Sequence, residues 1–371
     1  MKKILSIVIF SVVMALLSHN HSGYDPINCR YRRKERLFYS IMAIGMVLFA
    51  GLRTMYNDTL TYLYGYEILS RQEDVFSQID WLKIGDNPAF IFVQGILLKL
   101  GASKQTFLML FSIFTVLVPL WFLRKYSCNL WLSIFLYVSI AGYTFSLAAI
   151  KQCTAMAFCL IATDRAINKK YISFLIYVLL GSLFHPYALM YLVVPFLFFR
   201  PWSKYTLIML VVFAILGFAL ESLLGTLLNV TDMLGENYSA ESFTGEGVNP
   251  FRLAVVSVPT LLSALLIQQI SEHEEREQYL IMNLTMLNAE IMFVALFGTA
   301  NYFARLANYF IPFQAISIPW LLKHYDYNGR RTMMFLAVVG YILFFLYGNI
   351  GFDAGFRSIS LGTYLRSLFV G

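Results

Sequence analysis

An uncharged apolar segment that ends at a charged residue constrains this chain more than any other feature. Residues 37–52 carry no charged side chain, and Arg53 and Asp58 follow directly. The next roughly fifty residues contain acidic and basic side chains that a hydrocarbon layer does not accept. We therefore expect a membrane-spanning helix that ends near Leu52 and places Arg53 and Asp58 at a water boundary.

The composition indicates an integral membrane protein. Of 371 residues, 59% are hydrophobic and 13% are charged, which is far more apolar than a soluble globular protein. The net charge of +7 is explained by Lys and Arg retained on the cytoplasmic side, so we expect no nucleic-acid partner. The cysteines form no C-x-x-C pair, which gives no support to a disulfide framework or a zinc site. They are Cys29, Cys128, Cys153 and Cys159.

Sequence motifs for other kinds of chemistry are missing. The chain has no Walker motif, no HExxH, no nucleophile elbow and no metal-spaced cluster of His and Asp. ATP-driven transport and metal-dependent hydrolysis therefore have no support, and we expect no cofactor and no metal.

The distribution of Lys and Arg predicts the orientation. The densest basic cluster lies at residues 30–36, so the loop 19–36 is predicted to be cytoplasmic. This places the N-terminus, Arg53 and Asp58 outside. Residues 4–17 follow Lys2 and Lys3 and resemble a signal peptide, but no small-x-small cleavage site follows. We expect a retained first helix.

The predicted fold is an all-α, polytopic membrane protein with about twelve transmembrane helices, forming a single domain over residues 1–371. Residues 88–100 are too short to cross a core that needs roughly twenty residues, so we expect an in-plane or re-entrant helix at the outer face. The predicted external loops are 53–104 and 229–250. The predicted spans are 4–17, 37–52, 105–123, 130–150, 152–167, two short spans within 171–199, 206–228, 251–270, 279–298, 306–322 and 332–350.

This topology brings polar residues from several spans to one end of the bundle. Taken singly, the two arginines and the lysine can bind lipid phosphate by snorkelling, Asp58 can cap a helix, and His185 can bond a carbonyl. Together they predict a cationic outer pocket with one carboxylate, which suits a pyrophosphate-linked lipid beside an acid or base. The residues are Arg53, Asp58, Lys151, Gln152, His185 and Arg305.

The external loop 229–250 contains four acidic residues and no basic one. Tyr238 and Phe243 supply aromatic faces, and the carboxylates supply acceptors for sugar hydroxyls. We interpret this loop as part of a glycan-binding lid. The alternative is a surface loop without a role.

A series of short motifs resembles the EpsG family. Its members are membrane proteins of exopolysaccharide and capsule clusters that are regarded as Wzy-like repeat-unit polymerases, and the resemblance covers residues 35–325. The motifs are Gly51-Leu52-Arg53, Asp58-Thr59 with Tyr62, Asp86 to Phe90, Tyr143 to Gln152, Phe184-His185, and Arg305.

The chain departs from the family pattern at three points. The spacing from Arg53 to Asp58 is one residue shorter than usual, and Asn87-Pro88-Ala89 stands where the family has Glu-Pro-Gly. Lys151-Gln152 stands where the family has Arg-Gln. Lysine keeps the charge but loses the bidentate fork, so a two-point phosphate contact at position 151 is not expected.

The resemblance implies a GT-C-like helix arrangement and glycosyl transfer at the outer face of the bacterial cytoplasmic membrane. The substrates would be undecaprenyl-pyrophosphate-linked oligosaccharides, and a chain-length regulator and a flippase would be partners. Four residues would be catalytic: Arg53 and Arg305 at the pyrophosphate, and Asp58 and His185 at the acceptor hydroxyl. The predicted substrate-binding residues are Lys151, Gln152, Tyr62 and Tyr238.

Other protein classes remain open on the sequence. A flippase for lipid-linked sugars would share the apolar bulk and the cationic cavity, but it would need polar groups along the mid-membrane path, where Glu290 and Glu221 are the main ones. The further alternatives are a membrane acyltransferase that modifies the polysaccharide and an assembly or chain-length partner without catalysis.

Overall fold

A computed structural model describes residues 2–25, 29–33, 35–233, 247–271, 276–298 and 300–368. The protein is mostly helical with several apolar helices, as an all-α membrane protein should be. The first nine helices are α1 (Lys2–His21), α2 (Leu37–Gly51), α3 (Thr59–Leu69), α4 (Pro88–Lys99), α5 (Lys104–Tyr126), α6 (Leu130–Ser139), α7 (Gly142–Ala148), α8 (Ile150–Ile167) and α9 (Tyr171–Ser182).

The second half of the chain begins with a 3₁₀ segment, Pro186–Phe196. The helices that follow are α10 (Lys204–Phe218), α11 (Leu224–Met233), α12 (Pro250–Leu265), α13 (Ile267–Ser271), α14 (Arg276–Val294), α15 (Ala300–Ala307), α16 (Ile311–Leu322), α17 (Tyr327–Gly348), α18 (Phe352–Gly355) and α19 (Leu361–Ser367). Shorter 3₁₀ turns lie at Phe76–Gln78, Ile84–Asp86 and Asn308–Phe310.

Many of the apolar helices are shorter than a membrane crossing. Within the described residues, α1, α5 and α17 are long and apolar enough to cross, and the number rises to five if two bent pairs each count as one span. The predicted span 130–150 is one of these pairs, because α7 turns away from α6 by 50°. Ala141 adopts a left-handed backbone with φ of 68° at the break. The count of about twelve spans and the GT-C-like arrangement stay predictions.

Helix α4 is short, as the sequence predicted. It has 12 residues and begins at Pro88, where proline costs nothing because a first-turn N–H has no helical partner. The backbone N–H of Ala89 donates to the carbonyl oxygen of Leu183 at 3.1 Å. The start of α4 is thereby fixed beside the turn that follows α9.

The helix core is centred on α14 and α16, which pack against each other and against α12 and α6. Several polar side chains in this core find partners, which offsets the cost of burying a polar group in an apolar interior. Asn283 donates to the carbonyl oxygens of Leu197 and Phe199 at 2.8 and 2.7 Å. The hydroxyls of Thr285 and Ser317 lie 2.9 Å apart.

One end of the bundle gathers the end of α2, the start of α1 and the C-terminal segment. Arg53 in strand β3 (Arg53–Met55) pairs with Ser358 in the antiparallel strand β4 (Arg357–Ser358). The backbone N–H of Lys3 donates to the Asp353 carboxylate at 3.2 Å. This is the end that the Lys and Arg distribution predicts to be external, and we call it the predicted outer end.

The opposite end holds the basic residues that were predicted to be cytoplasmic. Arg124 donates to the carbonyl oxygen of Glu35 at 2.6 Å, which joins the end of α5 to the start of α2. Lys125 forms an ion pair with the buried Asp164, and the Tyr126 hydroxyl donates to the same carboxylate at 2.7 Å. Nearby, strands β1 (Tyr24–Asp25) and β2 (Arg30–Tyr31) form a second antiparallel pair.

Candidate functional site

His185 lies in the turn between α9 and the 3₁₀ segment. It occupies the cap position of that segment, yet its side chain makes no capping hydrogen bond, and its Nδ1 is buried without a partner among the residues that the structure describes. Its ring lies 4.3 Å from that of Tyr187, centroid to centroid. The alternative in which His185 merely bonds a carbonyl through Nδ1 therefore finds no support within the described chain.

Two cationic side chains, Lys151 and Arg305, act on the imidazole ring of His185. Burial, and then the positive charges of Lys151 and Arg305, lower the pKa of His185 to about 3. The ring is consequently neutral at physiological pH, with a nitrogen available to accept a proton. These three residues come from the start of α8, the turn after α9 and the end of α15.

Lys151 is held from two directions. Its Nζ lies 5.3 Å from the centroid of the Phe90 ring, a distance at which a cation is attracted to the ring face. Its backbone N–H donates to the hydroxyl oxygen of Tyr62. Because Lys151 lies in the first turn of α8, this N–H has no partner within its own helix. Tyr62 and Phe90 also contact each other, with ring centroids 5.9 Å apart.

Asp58 supplies the carboxylate of the site. It precedes α3 at the cap position, but its side chain makes no capping hydrogen bond within the described part of the chain, and the residue is exposed. Burial, and then the negative charge of Asp58, raise the pKa of the Tyr62 phenol, which lies in α3. The exposed Asp58 carboxylate therefore acts electrostatically on Tyr62.

Arg305 joins the cluster from the far end of the sequence. Its side chain is exposed, while its carbonyl oxygen accepts a hydrogen bond of 2.6 Å from Nε2 of the buried Gln152. Gln152 was predicted to bind substrate, and its Nε2 makes this contact within the protein. We name the residues that the structure brings together the outer-end cluster: Asp58, Tyr62, Lys151, His185 and Arg305.

Arg53 lies in the protein interior, whereas the sequence predicted a residue of an exposed outer pocket. It is 1% exposed, and protein groups enclose its guanidinium. The group donates to Thr59 at 3.2 Å, to Ser112 at 3.0 Å and to the carbonyl oxygen of Ala50. The reason is that β3 continues from α2 into contact with β4, which turns the side chain inward against α5. Arg53 thus ties the start of α3, which carries Tyr62, to α2 and α5.

A polar cavity of about 430 Å³ adjoins the cluster at Arg305. Arg252 on α12 also lines it and donates from Nη2 to Oδ1 of Asn308 at 3.0 Å. The remaining wall is part apolar, and its polar part consists of amide and phenol groups that can bond phosphate oxygens and sugar hydroxyls. These residues are Asn57, Asn249, Asn308, Asn349, Tyr56 and Tyr347.

Arg252 and Asn308 were missed by the sequence analysis. A usable signal was present for Arg252, because an arginine in the first turn of an apolar helix directly after an external loop lies at membrane depth only with a polar partner or an aqueous cavity. Nothing local marks Asn308. Tyr238 and most of the predicted lid lie outside the described residues, so the lid stays a prediction.

The apolar helices, with a cluster of polar and ionisable residues at one end, define a membrane protein with a polar site at the edge of its bundle. A comparison with family models identifies the family. The model of the EpsG family matches residues 36–361, and the chain belongs to that family. No curated protein and no solved structure matches the chain.

Proposed function

We propose that this protein is a glycosyltransferase that polymerises lipid-linked oligosaccharides at the outer face of the bacterial cytoplasmic membrane. The growing glycan is moved from undecaprenyl pyrophosphate onto the non-reducing end of an incoming lipid-linked repeat unit. The product is an exopolysaccharide, a capsule or an O antigen. Family membership supports a role in polysaccharide biosynthesis.

The observation that carries the proposal is the convergence of Asp58, Lys151, His185 and Arg305. They come from four separate elements, and each was singled out by the sequence as a polar residue at the predicted outer end of an apolar run. A proton acceptor beside two cations and one carboxylate is the set of groups that transfer from a pyrophosphate to a hydroxyl requires.

The transfer step balances without a cofactor. The oxygen of the acceptor hydroxyl bonds to the anomeric carbon of the donor glycan, and its proton passes to His185. The bond from that carbon to the pyrophosphate oxygen breaks, and its electron pair leaves with undecaprenyl pyrophosphate. Arg305 and Lys151 stabilise the charge that develops on the leaving group. Asp58 accepts a hydrogen bond from a sugar hydroxyl and thereby orients the sugar. Tyr62 lines the same side of the site.

Substrate binding also makes His185 a stronger base. In the free protein burial, and then the positive charges of Lys151 and Arg305, lower the pKa of His185. A pyrophosphate bound beside Arg305 offsets part of this positive charge, which raises the pKa of the imidazole relative to the free protein.

Arg53 and Gln152 act as positioning residues in this proposal. Arg53 fixes the strand before Asp58 through Thr59, Ser112 and Ala50. Gln152 fixes the backbone of Arg305. Neither needs to touch the substrate for its loss to reduce the rate, since a small displacement of reacting groups is costly.

Elongation by purified protein tests the proposal. The protein in lipid nanodiscs is mixed with a lipid-linked repeat unit, without nucleotide, acyl donor or ion gradient. Ladders of longer lipid-linked glycans support a polymerase. Transport of the lipid across the bilayer of proteoliposomes under an imposed ion gradient, without elongation, supports a flippase. No change without an acyl donor, followed by modification when one is added, supports an acyltransferase.

A flippase is kept as the second candidate because of Glu290. This residue is buried in α14, and neither carboxylate oxygen has a hydrogen-bond partner among the described residues. A buried ionisable group at membrane depth marks an ion or substrate pathway in many transporters. Glu290→Gln should abolish lipid translocation if the protein is a proton-coupled flippase, and it should leave elongation intact if the protein is a polymerase.

A further inference from the structure

An apolar groove of about 370 Å³ runs between α12 and α17, with α16 behind it. On α12 the lining residues follow a spacing of four, three and four, which places them on one stripe of the helix. At ~1.5 Å per residue this stripe extends the groove by about 17 Å along the helix. The stripe consists of Phe251, Val255, Val258 and Leu262, and Leu336 and Gly340 face it from α17.

The groove has room that the protein does not fill. A Cβ added at Gly340 would meet no atom within 4 Å among the described residues. Leu336 is 54% exposed although it lines the groove, and most of α17 is exposed in the same way. In a membrane protein such exposed apolar surface faces lipid. The groove is therefore accessible from the bilayer.

At the predicted outer end the groove adjoins the polar cavity. Phe251 lines the groove, and the next residue, Arg252, lines the cavity. Helix α17 makes the same transition, from Gly340 in the groove to Phe344 and Tyr347 in the cavity. The ring of Phe251 contacts both of these aromatic rings, at centroid distances of 5.9 and 5.5 Å. The apolar groove and the polar cavity are thus neighbours along α12 and α17.

Two cationic side chains line the polar cavity. Arg252 is half-buried, and the partner of its Nη2, Asn308, is a neutral amide that leaves the guanidinium charge uncompensated by that contact. Arg305 is the second cation of the cavity. A guanidinium presents paired donors that match phosphate oxygens. The groove and the neighbouring cavity therefore fit an amphiphile with a long apolar tail and a multiply charged anionic head.

We propose that the groove and the cavity together bind one polyprenyl pyrophosphate, with the isoprenoid tail between α12 and α17 and the pyrophosphate between Arg252 and Arg305. The chemical identity of the lipid rests on the proposed function. Because Arg305 also lies beside His185, the bound lipid is the donor, whose pyrophosphate is the leaving group. Arg252 is then a substrate-binding residue of this protein.

Photolabelling locates the tail without requiring any turnover. The full-length protein in nanodiscs is incubated with a polyprenyl pyrophosphate that carries a diazirine in its isoprenoid tail, and labelled peptides are identified by mass spectrometry. We expect labels in α12 and α17. Gly340→Trp should fill the groove and reduce labelling at least tenfold. Val339→Trp is the matched control, since Val339 is an exposed neighbour on the same helix that lies outside the groove lining, and it should label normally.

The head group is tested separately. Arg252→Gln should weaken labelling by the pyrophosphate probe at least tenfold and leave labelling by the corresponding polyprenol, which has no phosphate, unchanged. Labels outside α12 and α17, or full labelling of Gly340→Trp, would overturn the site. Equal labelling by a phosphatidylglycerol probe would identify an ordinary lipid contact instead. Elongation together with such results would leave the polymerase intact and refute only this location of the donor.

Discussion

The side-chain amide of Gln152 donates to the backbone carbonyl oxygen of Arg305, 153 residues further along the chain, at an N···O distance of 2.6 Å. Two motifs that the sequence singled out separately are therefore joined by a direct contact. The contact fixes the start of α8, which carries Lys151, relative to α15, which carries Arg305. The neutral Gln152 thereby fixes the relative positions of Lys151 and Arg305, the two cations proposed to stabilise the leaving group.

We expect Gln152→Glu to impair elongation more than Gln152→Met. Both variants remove the donor and leave the Arg305 carbonyl without it, at a typical cost of about 1–3 kcal/mol. The carboxylate also repels that carbonyl oxygen and attracts the nearby cations, which displaces them. Measured rates of elongation, together with unfolding temperatures in the same nanodiscs, check this. Equal rates for the two variants and the wild type would show that the contact is not needed.

The pH dependence of elongation should lack a histidine titration near neutrality. Burial and the two cations hold the pKa of His185 at about 3 in the free protein, so the imidazole stays deprotonated as the pH falls from 7.5 to 5.5. Since kcat/KM reports the free enzyme, it should be nearly constant over this range. An unperturbed histidine, with a pKa of ~6.5, would lose roughly tenfold by pH 5.5. A fall with a midpoint near 6.5 would contradict the neutral, buried imidazole.

Arg53 and Arg305 should differ in what their loss affects. Arg53→Ala removes buried hydrogen bonds to Thr59 and Ser112, so it should lower the unfolding temperature and the amount of folded protein. Arg305→Ala removes an exposed side chain and should leave the unfolding temperature unchanged while reducing elongation. Thermal unfolding of both purified variants distinguishes the roles. A fully stable but inactive Arg53→Ala protein would instead favour direct contact of Arg53 with the pyrophosphate.

The orientation is tested by cysteine labelling in intact cells, in a background without the four native cysteines. Leu60→Cys and Lys104→Cys lie at the predicted outer end and should react with a membrane-impermeant maleimide. Arg36→Cys and Lys170→Cys lie at the opposite end and should react only after permeabilisation. The reverse pattern would place the outer-end cluster in the cytoplasm and remove the proposed substrates from its reach.

The sequence predicted the membrane class and the residues of the outer-end cluster, because each of them marks the end of an apolar run. It did not predict the break at Ala141 or the short helices around it, since apolar content does not register a change of backbone direction within a run. The burial of Arg53 depends on the pairing of β3 with β4, which lies 300 residues away in the chain. Arg252 was overlooked although its position in the first turn of an apolar helix was a usable signal, whereas its partner, Asn308, is distant in sequence and carries no local signal.

The proposed catalytic roles of His185 and Arg305 are tested most directly by single-turnover elongation, measured on purified variants with matched lipid binding. His185→Ala and Arg305→Ala should each reduce the rate by about a hundredfold, since loss of a base or of a transition-state charge contact typically has an effect of this size. Lys104→Ala is the control, because its exposed ion pair with Glu67 at the same end contributes little. We expect this control to elongate normally, and we expect both cluster variants to bind the acceptor lipid but to extend it only at the reduced rate. Full rates from both cluster variants would contradict the proposed catalytic roles.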